Sequence, residues 1–150
     1  MIELEGVDKL ITDMNNLGNV GTKAGRKAVK KGLEVVLDTM KTVAPKNNGN
    51  SIAPSPNDGH SRDQLDIQYI KAAKNGDLQG ACGIGSKNWD ATKQLWFQNF
   101  GFENKGLNFN GNHFVSKNIG WITKAQEKSK DKALNETVKA LSAEIDKVLK

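Results

Sequence analysis

Residues 65–85, LDIQYIKAAKNGDLQGACGIG, decide the fold class. Leu65, Ile67 and Tyr69 alternate with Asp66 and Gln68. That period of two sets one face of a strand against a core and the other in water. Asn75-Gly76-Asp77 is turn chemistry, and Leu78–Gly85 is placed to return as the partner strand. The stretch predicts an antiparallel hairpin.

On both sides of it the period changes to that of helices. Upstream, Glu5–Gly18 carries Val7, Leu10, Ile11, Met14 and Leu17 on one stripe, and Gly18-Asn19 is expected to end this first helix. Residues 1–18 hold four acids against one Lys, a net of −3. A second helix is predicted from about Val20 to Ala44, where Pro45 stops it. Its apolar side opens with small residues (Gly21, Ala24, Gly25, Ala28, Gly32), which let another backbone approach closely. Lys23, Arg26, Lys27, Lys30, Lys31 and Lys41 against Glu34 and Asp38 give it +4, read mainly as a solvated face.

Downstream, the strongest periodic signal runs from Trp121 to the end. Ile122, Ala125, Leu134, Val138, Leu141, Ile145 and Val148 keep 3–4 spacing and are expected to face the core. Between hairpin and last helix, Gln94–Phe102 is a short apolar element, strand or helix end, with four of the nine aromatics. The expected fold is α+β: two N-terminal helices, a small antiparallel β-sheet with long loops, and a long C-terminal helix packed on the sheet.

A chain of 150 residues suits one domain, spanning 1–150, and can bury roughly 70% of its unfolded surface. Residues 45–62 hold all three prolines, and 104–118 are rich in Gly and Asn. Both are expected to be mobile loops, because long connections are commonly functional or disordered. The opening MIELEGVDKL has no apolar core, so no signal peptide is expected. No apolar run is long enough to cross a membrane. Cys82, the single cysteine, excludes an internal disulfide and suits a reducing compartment, so the chain is expected to be made in the cytoplasm.

The net charge of +5 comes from 20 Lys and 2 Arg. Phosphate attracts any basic surface, but base and phosphate readers lean on Arg, whose planar fork binds bidentately. The charge alone therefore argues little for nucleic-acid binding.

A search for reactive chemistry finds no recognisable set. His60 and His113 each sit in a polar loop and lack the neighbouring ligands a metal site needs. Cys82 has no nearby base and reads as a small buried strand residue. Its surroundings, GACGIG, have glycines in the wrong order for a dinucleotide loop. Asp63 and Asp66, on one strand, would point to opposite faces. Hydrolase, zinc-protease and P-loop motifs are absent from the sequence. The expectation is a non-enzyme with no cofactor and no metal. The four aromatics Trp96, Phe97, Phe100 and Phe102 are dense for a one-faced sheet, and aromatic groups are enriched in interface cores.

The order of these motifs resembles the head–tail joining, or tail-completion, proteins of long-tailed bacteriophages, a family of minor virion components. The opening Gly-apolar-acid-x-Leu of that family is matched by Gly6-Val7-Asp8-Lys9-Leu10. Its Ala-rich helix ending in Ala-Pro is matched by Ala24–Ala44 and Pro45. Gly59-His60-Ser61-Arg62 is similar to its Gly-x-Leu-Arg, with Ser61 for Leu. Phe97-Gln98-Asn99-Phe100-Gly101-Phe102 follows its aromatic-x-Glu-aromatic-Gly-Thr, with Asn99 for Glu and Phe102 for Thr. Gly120-Trp121-Ile122-Thr123-Lys124-Ala125 stands where Pro-Phe-Leu-x-x-Ala opens the last helix.

The resemblance implies a structural subunit at the virion neck, made in the host cytoplasm and acting by protein–protein assembly. Its implied partners are head-completion and tail-tube or tail-terminator subunits, with copies of itself in a hexameric ring, and DNA only as passing cargo. The residues expected at assembly interfaces are Arg62, Trp96, Phe97, Phe100, Gly101, Phe102, Phe114 and Trp121. Lys23, Lys27, Lys30 and Lys31 are expected to face the DNA channel. The competing reading is a basic DNA-binding accessory domain using the Lys-rich helix 20–44.

Overall fold

The computed structural model describes residues 7–46, 61–72, 77–106, 109–113 and 118–147. Its first element is one helix, α1 (Val7–Val43), of 37 residues, where the sequence predicts two. Gly18-Asn19 does not interrupt it. Gly18 is not among the glycines with positive φ, and the Thr22 hydroxyl donates to its carbonyl at 3.0 Å, one helical turn back. A glycine costs a helix only about 1 kcal/mol, an amount that the wider context of a long helix readily overrides. Pro45 ends α1 as predicted.

After a 3-10 turn at Ser61–Gln64, β1 (Asp66–Ala72) and β2 (Leu78–Gly83) form the predicted antiparallel hairpin. Asn75 and Gly76 of its expected turn lie outside the described residues. The register shifts between Ile67 and Tyr69, so Gln68 is the extra residue of a bulge. A bulge re-aims every side chain beyond it. Hence Ile67 and Ile70 are half-buried, and Tyr69, expected inside, is exposed.

Next comes α2 (Trp89–Phe100), so the element predicted at Gln94–Phe102 is a helix that begins five residues earlier. Gly101, at φ 76°, ends it and donates its N–H to the Phe97 carbonyl at 2.7 Å. A second hairpin follows, β3 (Phe102–Gly106) with β4 (Phe109–His113), in unbroken antiparallel register. This corrects the loop expected over 104–118 at residues 104–106 and 109–113, while 107, 108 and 114–117 lie outside the described residues. Backbone pairing needs no apolar alternation, and FENKG/FNGNH supplies none. Of the other expected loop, residues 47–60 lie outside the described residues.

The last helix, α3 (Trp121–Asp146), runs antiparallel to α1. Thr137 stands over Gly32 and Lys27 pairs with Glu144, so numbers rise on one helix as they fall on the other. Its first turns join the core: Trp121, Ala125 and Ile122 meet Leu37, Met40, Leu65 and Leu95, with Ile67 and Cys82 of the hairpin packed alongside. The architecture is α+β, three helices and two two-stranded sheets among the described residues.

The small residues of α1 act as predicted except Gly21, which is exposed with nothing within 4 Å of a built Cβ. Ala24 and Ala28 are buried, a side chain on Gly32 would strike Thr137, and one on Gly25 would strike Leu78. On the hairpin, Gly83 takes φ 111° with Met40 Cε 2.6 Å from where a Cβ would stand. Glycine alone satisfies both conditions.

The predicted face of α3 is wrong in its second half. Leu134, Val138, Leu141 and Ile145 are exposed, while Ser129 is buried and Ala133, Thr137 and Ala140 are half-buried. Close packing on a glycine-bearing helix selects small side chains, so the bulky ones are turned away.

Candidate functional site

Helix α2 presents its polar and apolar residues in reverse of the usual order. Its buried residues are Thr92, Leu95 and Asn99, two of them polar. The Thr92 hydroxyl donates to the Asn88 carbonyl at 2.7 Å, and Asn99 Oδ1 accepts the Ile122 N–H at 2.9 Å. Both polar side chains are satisfied, as burial requires. The aromatics are thereby left outside.

Trp89, Trp96, Phe97, Phe100 and Phe102 are each at least 40% exposed. At 3.6 residues per turn, Trp89, Trp96 and Phe100 fall on one stripe, with Phe97 beside it. Their rings meet in two groups. Trp89 and Trp96 lie 6.4 Å apart, edge to face, Trp96 and Phe100 4.5 Å apart, and Phe97 and Phe102 5.6 Å apart across the bend at Gly101. These tilted arrangements suit aromatic quadrupoles and stiffen the surface. An exposed aromatic cluster of this kind is a candidate interaction surface.

Two asparagines hold α2 in place. Asn88 Oδ1 accepts from the Gly85 N–H at 2.9 Å and from Gln68 Nε2 at 3.3 Å. Its Nδ2 donates to the carbonyls of Gln64 at 2.7 Å and Gly83 at 2.9 Å. One side chain thus ties α2 to the 3-10 turn and both strands of the first hairpin. At the other end Asn99 also accepts, at its carbonyl, the Gly120 N–H at 3.1 Å.

Of the residues expected at an interface, Trp96, Phe97, Phe100 and Phe102 are brought together, and Gly101 shapes the bend between them. Trp89 belongs to the patch and was missed, because it sits seven residues before Trp96 in a stretch not read as helix. Trp121 does not belong. It is 2% exposed, with its indole N–H donating to the Leu95 carbonyl at 3.0 Å. Its entry position to α3 points it into the core. Phe114 lies outside the described residues. Arg62 is half-buried in the 3-10 turn, its Nε 3.7 Å from Asp63 Oδ1 and without a hydrogen-bond partner.

Lys23, Lys27, Lys30 and Lys31 are all exposed on α1. Two are engaged: Lys27 Nζ reaches Glu144 at 2.6 Å, and Lys31 Nζ reaches Glu34 at 2.8 Å. Hydrogen bonds from Lys147 and Lys27 hold the Glu144 carboxyl down at about 2. The basic face is therefore partly neutralised within the molecule.

The candidate titratable groups fall elsewhere. Cys82 lies on β2, and burial pushes its thiol up, away from the reactive thiolate. Asp63 is in the 3-10 turn and only Asp66 is on β1, so the expectation of two faces of one strand does not apply. Asp66 Oδ1 instead accepts the Ile67 N–H at 2.7 Å. His113 is on β4, not in a loop, and His60 lies outside the described residues. Among the described residues there is no cluster of metal-ligating side chains, and no helix is long and apolar enough to cross a membrane.

No family model, curated protein or solved structure matches the chain.

Proposed function

We propose that this protein is a structural subunit that works by assembly with other proteins, at the head–tail junction of a tailed phage. The observation that carries the assembly reading is the exposed aromatic patch on α2 and β3, held on a pinned helix. Tryptophan is enriched in interface hot spots, and phenylalanine with it in interface cores. The phage-neck reading rests on the order of sequence motifs, and one local feature supports it. Asn99, standing where the resembled motif has Glu, supplies the oxygen that accepts the Ile122 N–H at the start of α3, a role open to either residue. In this reading the patch meets head-completion or tail-terminator subunits, and neighbouring copies close into a ring by heterologous packing.

The test is native mass measurement of the chain mixed with head-completion and tail-terminator proteins of tailed phages. A defined complex with the parent chain, lost with Trp96→Ser/Phe100→Ser, is the expected outcome. A monomer in every mixture counts against the reading. Salt-dependent duplex binding that survives the aromatic changes and falls with Lys23→Gln/Lys30→Gln would favour the DNA-binding alternative.

A further inference from the structure

We draw no further inference here: the strongest candidate, the outer face of α3 at Leu134, Val138, Leu141 and Ile145, is an exposed apolar stripe, and nothing in the structure shows what covers it.

Discussion

The side chain of Asn99, at the end of α2, accepts the backbone N–H of Ile122 in the first turn of α3 at 2.9 Å. Gly120, which precedes α3 at φ 72°, has no side chain to cap it. Asn99 therefore caps from a distance, satisfying one of the orphan donors every helix start exposes. Asn99→Ala should destabilise the fold by about 1–2 kcal/mol in urea unfolding. Asn99→Asp keeps an acceptor and adds charge at the positive end of the helix dipole, so it should recover most of the loss. Equal losses for the two variants would show that the bond is not what matters.

Continuity of α1 through Gly18 has a simple consequence. Gly18 is exposed, helical, and has no atom within 4 Å of a built Cβ. Gly18→Ala should raise stability by about 0.5–1 kcal/mol. Were the chain broken there in a left-handed turn, the same change would be destabilising.

Gly32 is the opposite case. Its missing side chain is filled by Thr137 of α3. Gly32→Val should force α1 and α3 apart and cost about 2–3 kcal/mol, despite valine's ordinary helical tolerance. The paired change Gly32→Val/Thr137→Gly should return part of that loss, readable as non-additivity in a double-mutant cycle.

Acid should loosen the α1–α3 pairing through Glu144. Its carboxyl sits at about 2 rather than 4.5, because Lys147 and Lys27 hydrogen-bond its charged form. A folded value below the unfolded one means the contribution is complete above about pH 4.5 and disappears as pH falls towards 2. Glu144→Gln should lose stability relative to the parent at neutral pH, and the difference should shrink through that window. A difference that stays constant from pH 7 to about 2 would contradict the assignment.

Cys82 gives a probe of the hairpin. Burial raises its thiol above the ordinary value, so iodoacetamide at mildly alkaline pH should modify the folded chain slowly and the unfolded chain fast. Equal rates would mean that β2 is not packed as described.

Much of this was legible in the residues. The first hairpin, the stop at Pro45 and the small-residue face of α1 follow from period, turn chemistry and size. The two N-terminal helices merged because one glycine is a weak breaker, a matter of energy that a pattern alone does not weigh. The face of α3 was misjudged for a related reason. Hydrophobicity marks Leu134 and Val138 as inner residues, whereas the available gap over Gly32 admits only Thr137 and its small neighbours. Trp121, expected at an interface, is core, since the chain path from Gly120 aims it inward. The second hairpin left no trace in FENKG and FNGNH, whose residue types do not alternate between apolar and polar. The role of Asn99 depends on a neighbour 23 residues away, beyond any local rule.

Asn88 and Asn99 together clamp α2 at its two extremities, one to the first hairpin and one to the start of α3. An incoming molecule meets aromatic rings that already stand at fixed heights on a rail bolted at both ends. Little freedom is left to be surrendered on contact, so affinity at this surface should track shape match far more than loop ordering.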